Sequence, residues 1–338
     1  MFGVVPASRW IKEDNAVSLF QTDAWQRSWW QTWGDTEGFS LIRAAASGAS
    51  GLYLDSYRFR NLIPVQCLQF VGTNYRRLST PRTEYNAFGL ADDEPGVELA
   101  RLLRCCSWSE AVFRDIYEGS GDHKALLAMA GREGWLVRVV ARDRAFSVDT
   151  QDHFESYLSS LGSNTRLRLF NRRKVLEGLG GVSLTNYWPN ATDEFFETLN
   201  EFHQQRWGTP CFNERSLSFH KGFLAGVERE GGQPDLSVLS SAGRVISVLY
   251  NVKFQGTVYN IQSGYFEQFH RKLALGTLHL GYAIETAFSD PECRCFDLLA
   301  GGGKNENYKK RLATNETPLV SIMLVRGRLA KFLYRLKR

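Results

Sequence analysis

Arg271-Lys272-Leu273-Ala274-Leu275-Gly276 is the stretch of this 338-residue chain whose residue types bear most directly on chemistry. It follows a strand-like run, Thr257 to Gly264, and opens a helix predicted over Leu273 to Phe288. The first turn of a helix has N–H groups without partners and a partial positive charge. Small residues at Ala274 and Gly276 let a pyrophosphate come close to that backbone, and Arg271 and Lys272 add charge. The stretch reads as a phosphate cradle. The bland alternative is a helix with a basic approach and an incidental glycine.

His203 stands three residues before Arg206 near the end of a helix predicted over Thr192 to Trp207. An imidazole has the right proton affinity to take a proton from an attacking ammonium or hydroxyl. At a helix C-terminus it can equally serve the dipole. Arg206 is suited to a substrate carboxylate or phosphate. Trp207 can wall a site or simply pack. Asp297 ends a strand, Cys295 to Leu299, beside the glycine break at 301–303, as a functional carboxylate or a turn cap. Thr165 to Gly178 reads as a basic helix, with Arg166, Arg168, Arg172, Arg173 and Lys174. It offers a surface for an acidic carrier protein, a cofactor phosphate or an RNA-bound donor, or else a solvated face.

The elements that must position these groups follow from periodicity. Asp23 to Gly34 is a helix with Trp25, Trp29 and Trp30 at helical spacing and Trp33 on the same side, a core anchor. Strands are expected at Phe39 to Ala46, Gly51 to Phe59, Val65 to Val71, Ala111 to Tyr117 and Trp135 to Val140, with helices at Glu98 to Cys105 and His123 to Gly131. Polar Ala141 to Thr150 ends the first half, giving domains 1–150 and 151–338. Beyond it come a strand at Val182 to Trp188, helices over Thr192 to Trp207 and Ser216 to Glu230, and strands at Leu236 to Ser240, Arg244 to Phe254 and Thr257 to Gly264. Gln255-Gly256 is a hairpin turn. Cys295 to Leu299 and Leu319 to Val325 complete the set. This order is α+β with a mostly antiparallel sheet, without the strand–helix alternation of a dinucleotide fold.

Composition narrows the class. Hydrophobic residues make up 43% and charged residues 23%, which fits one large core or two ordinary domains and does not point to long disorder. A net charge of +5 is below a nucleic-acid footprint, so DNA is not an expected partner; a polyanionic cofactor or acidic carrier accounts for it. The six cysteines form no C-x-x-C pair, which points to reduced thiols in a cytoplasmic protein and to no metal site. No apolar run is long enough for a transmembrane helix. Arg326 to Arg338 alternates basic and apolar residues, as a packed terminal helix or as a weak contact with a membrane or envelope complex.

Arg271, Ala274 and Gly276 match the Gln/Arg-x-x-Gly-x-Gly/Ala loop of GNAT (Gcn5-related N-acetyltransferase) enzymes, with alanine in the first glycine position. The chain resembles a subgroup of that superfamily, the cellulose-biosynthesis-type acetyltransferases, relatives of the Fem aminoacyltransferases. The pieces that carry the resemblance are Trp25 to Trp33, Thr165 to Gly178, His203-x-x-Arg206-Trp207, Gly264-Tyr265, the helix after Gly276, Phe296-Asp297 before Gly301, and Glu306-Asn307-Tyr308-Lys309. The resemblance implies two tandem GNAT-like halves, mixed sheets flanked by helices, and acyl-CoA or the phosphopantetheine of an acyl carrier protein as co-substrate. It puts Tyr308 and Lys309 near the cofactor or acyl carbonyl, Tyr265 at the site, and Glu84-Tyr85 at the acceptor pocket. The expected activity is direct acyl transfer to an amine of a small molecule or peptide. Fem-like transfer from tRNA and a non-catalytic partner-binding module are the alternatives.

Overall fold

A computed structural model describes residues 17–46, 48–90, 95–301, 304–327, 330–332 and 334. Two compact units divide the chain: Met1–Arg142 with Leu319–Arg338, and Asp143–Pro318. The division falls inside the polar stretch Ala141 to Thr150, and the chain from Leu319 onward goes with the first unit. Most of the basic C-terminal stretch, including Arg328, Arg335, Lys337 and Arg338, lies outside the described residues.

The first unit opens with helix α1 (Asp23–Trp33). Its N-cap Thr22 accepts a hydrogen bond from the Trp25 amide at 3.2 Å. Trp25, Trp29 and Trp33 are buried along one face, and Trp29 packs 5.4 Å from the Tyr53 ring. Then follow β1 (Phe39–Arg43), β2 (Leu52–Phe59), β3 (Ile63–Phe70), α2 (Pro95–Arg104), β4 (Glu110–Tyr117), α3 (Gly121–Arg132) and β5 (Leu136–Asp149). β1, β2 and β3 are antiparallel, while β3 and β4 are parallel. Leu68, Phe70 and Phe113 pack with Leu99 and Leu103 of α2 and Leu126 and Met129 of α3. Strand β5 runs straight through the polar stretch that the sequence reading takes as a break. Its residues Ser147, Val148 and Asp149 find backbone partners on a distant strand, and such partners are invisible to local patterning.

The second unit contains α4 (Phe154–Ser160), α5 (Ser163–Arg166), a π turn at Leu167–Asn171, α6 (Arg173–Glu177), β6 (Val182–Asn186), α7 (Thr192–Trp207), α8 (Glu214–Arg229), β7 (Gln233–Ser241), β8 (Arg244–Phe254), β9 (Thr257–Tyr265), α9 (Leu275–Ser289), β10 (Cys295–Ala300), α10 (Lys304–Leu312) and the start of β11 (Asn315–Val325). The expected single basic helix over Thr165 to Gly178 is therefore three short pieces. The turn between β8 and β9 has both residues left-handed, Gln255 at φ 46° and Gly256 at φ 76°, as a two-residue hairpin requires.

β6 to β9 form an antiparallel meander; β9 and β10 are parallel, and β10 pairs antiparallel with β5. In the first unit β4 pairs antiparallel with β11. Both units thus have the same order: meander, parallel pair, antiparallel closing strand. The architecture is α+β, with mixed sheets flanked by helices. Phe195 and Phe196 of α7 pack with Tyr250 of β8, while Leu280 and Ile284 of α9 pack with Leu249 and Phe296.

Candidate active site

β9 and β10 pair only at Thr257–Cys295, Val258–Phe296 and Tyr259–Asp297. β9 then continues to Tyr265 with β8 as its recorded ladder partner. The two parallel strands part after Tyr259, and one edge of β9 is left open toward the N-terminus of α9. One extra residue, Ile261, sits between the pairs Tyr250–Gln262 and Asn251–Asn260. Such a bulge leaves a residue unpaired and re-aims its neighbours.

α7 crosses this end of β9 closely. A Cβ at Gly264 would meet Leu199 Cδ1 at 2.9 Å and Phe202 Cβ at 3.3 Å. That proximity lets His203 Nε2 lie 3.0 Å from the Ser263 carbonyl oxygen. A carbonyl only accepts, so Nε2 carries the hydrogen and Nδ1 keeps the lone pair. Burial foremost, and the Arg206 cation, hold the imidazole below its ordinary pKa, against the opposing pull of the Ser263 hydrogen bond.

One helical turn on, the Arg206 guanidinium lies 4.7 Å from the centre of the Trp207 ring and 4.8 Å from that of Tyr265. Its Nε is 3.5 Å from Glu267 Oε1. Trp207 is 62% exposed, too open for a packing role. Tyr265 in turn lies against Gly276, where a Cβ would stand 2.6 Å from the ring's Cε1. The glycine of the cradle is therefore required by Tyr265 as well as being suited to an anion. Tyr308, on α10, is within electrostatic reach of Tyr265 and Arg206, and burial pushes its phenol up to about 12.

α9 starts at Leu275, two residues later than predicted. Ala274 is its N-cap and supplies no side-chain hydrogen bond. Leu275 is buried with Leu176 and Leu278, and Leu273 packs against the same cluster, so the apolar residues of the cradle anchor it. Arg271 and Lys272 are exposed beside it. Next to this helix end, Asn164, Thr165, Arg168, Thr277, Tyr308 and Arg311 line a shallow cleft that opens to solvent. Among the described residues no acid pairs with Arg166, Arg168, Arg271, Lys272 or Arg311. Two other arginines of the basic stretch are structural. Arg172 donates to the Lys272 carbonyl, and Arg173 is buried, pairs with the partly exposed Glu285 and lies 3.8 Å from the Tyr282 ring centre.

Asp297 and Lys309 meet at the end of β10. Asp297 is 3% exposed, and its Oδ1 accepts from the Leu299 amide at 2.8 Å, while Leu299 is left-handed at φ 61°. Lys309 Nζ donates to the carbonyls of Leu299 at 3.2 Å and Ala300 at 2.8 Å. Both side chains hold a bent strand end. Glu84 and Tyr85 belong to the first unit. Glu84 is 2% exposed with Arg82 Nε at 3.4 Å, and Tyr85 is left-handed at φ 55° and stacks on Tyr117 at 5.1 Å. His203, Arg206, Trp207, Tyr265, Gly276 and Tyr308 thus come together at the end of β9. Arg168 and Arg311 are cleft residues that sequence reasoning did not single out. Arg168 carried a signal in the basic stretch; Arg311 carried none. No group of three metal-binding side chains gathers among the described residues, and no helix there is long and apolar enough to cross a membrane.

Residues 163–310 match the family model described as an acetyltransferase (GNAT) domain. Across nearly the whole chain the fold is like that of FemX, at 11% identity and a TM-score of 0.59, covering 95% of this chain and 98% of that one. A conserved protein of unknown function from Bacteroides thetaiotaomicron is 10% identical with a TM-score of 0.55, over 93% and 92% of the two chains. L-PGS from Bacillus licheniformis is 10% identical with a TM-score of 0.51, over 97% of each. No curated protein is significantly similar in sequence. Through its domain at 163–310 the chain is related to the GNAT superfamily, and across nearly its whole length its fold is like that of FemX.

Proposed function

We propose that the chain transfers an acyl group directly from a thioester donor, acyl-CoA or the phosphopantetheine of an acyl carrier protein, to an amine of a small molecule or peptide. The observation that carries this reading is the opening between β9 and β10. An open strand edge leads there to a helix N-terminus without a side-chain cap, ringed by Arg168, Arg271, Lys272 and Arg311. Such an edge can accept the amides of a pantetheine arm as a strand would, and the helix end with its cations suits the phosphates.

His203 Nδ1 takes the proton from the attacking ammonium. Tyr308, with a phenol near 12, is a weaker acid than a thiol. It stabilises the departing thiolate by donating a hydrogen bond rather than by handing over its proton. Alignment of amine and thioester in one cleft supplies proximity. Glu84 remains a second candidate base and Tyr85 an acceptor-side residue, on the resemblance alone. Lys309 and Asp297 keep β10 bent, and Arg166 extends the cationic rim.

Calorimetry with acetyl-CoA and longer acyl-CoAs tests this. Wild-type protein binds at least one of them, and Arg168→Ala combined with Arg311→Ala weakens that binding about a hundredfold or more, as expected for two charge-assisted contacts of roughly 1.5–3 kcal/mol each. Absence of binding to every thioester sinks the reading. The exposed Arg168 and Lys174, with the half-exposed Arg166, also favour a second reading, aminoacyl transfer from a charged tRNA. Binding to tRNA that falls steeply with salt, in place of thioester binding, selects it.

A further inference from the structure

Arg206 differs from Arg82 and Arg76, two other partly buried arginines that are paired with acids. Arg82 grips Asp115 with two nitrogens, both at 2.9 Å, and Arg76 donates to Glu110 at 2.6 Å. The Arg206 guanidinium lies against two aromatic rings, one of them that of Tyr265, whose hydroxyl it also stabilises as phenolate, and its ion pair with Glu267 is long and one-sided, the Glu267 side chain being 59% exposed. Contacts with two rings restrict the guanidinium without neutralising its charge. An arginine preset in this way is suited to a planar or tetrahedral oxyanion arriving from solvent.

Its place relative to the base is fixed by two elements. His203 and Arg206 are one turn apart on α7, and their contacts on β9, Ser263 and Tyr265, are two residues apart on the same side of the strand. Three helical residues rise about 4.5 Å and two strand residues about 6.6 Å, so the backbone positions that carry base and guanidinium, and those they contact, are spaced by roughly 5–7 Å. An amine with an anionic group a few bonds away spans that distance.

Resting on the acyl-transfer reading, we propose that the acceptor is an amine carrying an oxyanion, a carboxylate or a phosphate, received by Arg206 beside Trp207 and Tyr265. Arg206 is then a specificity and positioning residue. It orients the amine toward His203 Nδ1, and an acceptor without the anion loses that alignment. Glu267 is displaced to solvent as the incoming anion takes its place.

The test uses matched amines that differ in the anion: L-lysine against cadaverine and L-phenylalanine against phenethylamine for carboxylate, and phosphoethanolamine against ethanolamine for phosphate. Thiol release from acetyl-CoA is followed with wild type, Arg206→Met and Arg206→Lys. We expect wild type to favour the anionic member of at least one pair by tenfold or more in kcat/KM, chiefly through KM. Arg206→Met abolishes that preference and Arg206→Lys retains part of it. The pair that shows the preference tells carboxylate from phosphate. No preference in any pair, or one that survives Arg206→Met, overturns the proposal. Failure of the donor reading shows separately, as absence of acetyl-CoA binding. The same pairs are then titrated into the protein alone, where equal or no affinity for anionic and neutral members overturns the oxyanion site, and tighter binding of the anionic member that Arg206→Met abolishes supports it.

Discussion

His203 is a base whose working nitrogen is chosen by one backbone atom. The Ser263 carbonyl takes the Nε2 hydrogen at 3.0 Å, so only Nδ1 can accept a proton. Burial and the nearby Arg206 cation lower the pKa, and the neutral form therefore persists below the ordinary value of about 6.5. The acid limb of a pH profile of kcat/KM falls, on this reading, as pH drops through a midpoint below 6.5. In Arg206→Met that midpoint moves upward, though not fully to 6.5, because burial is the larger cause and remains. A wild-type limb centred above 6.5 would remove His203 from the role. Trp207 makes a related point at the same scale. Its type and spacing cannot tell a wall from a core anchor, whereas an exposure of 62% can.

Elements explain why part of the site was legible in the sequence and part was not. α7 is predicted with the bounds it has, since Phe195, Phe196, Leu199 and Phe202 recur at helical spacing and Gly208 ends it left-handed at φ 76°. The start of α9 was legible to within two residues because helix termini follow local rules. The break in the basic stretch was not. It is set by α9, far away in sequence: a Cβ at Gly281 would stand 2.2 Å from the Leu169 carbonyl oxygen, so the π turn lies directly on the helix. The same holds for Lys309, whose partners are carbonyls of a strand that is bent only in the folded protein. Gly281→Ala tests the crossing. The contact is with backbone, which cannot step aside, so the variant loses about 1–3 kcal/mol in urea unfolding, the usual cost of overpacking. Wild-type stability in that variant would mean that the turn is not seated on α9.

At the scale of the molecule, two histidines tie the second unit to pH. His279 is fully buried between Ser247 Oγ at 3.0 Å and Ser237 Oγ at 3.1 Å, and Ser247 Oγ also lies 3.2 Å from the Gly264 carbonyl. His220 is buried among Phe212, Phe219 and Tyr250. Burial lowers each to about 3, against about 6.5 in an unfolded chain. Between those values the unfolded chain binds protons that the folded one refuses, so stability is complete above 6.5 and falls as pH drops toward 3. Each histidine contributes a slope approaching about 1.4 kcal/mol per pH unit once its unfolded form is protonated. Asp122 and Asp235 act in the opposite sense, because burial raises their carboxyls and the folded state gains protons first. The total slope is therefore a mixture, and a variant isolates the histidine part. His220→Phe keeps the aromatic packing and removes one titrating group. Urea unfolding at pH 7, 5.5 and 4.5 then shows the stability difference between wild type and variant shifting toward the variant by about 1.4 kcal/mol per unit below pH 6. A difference that stays constant over that range would mean that His220 is reached by protons in the folded state.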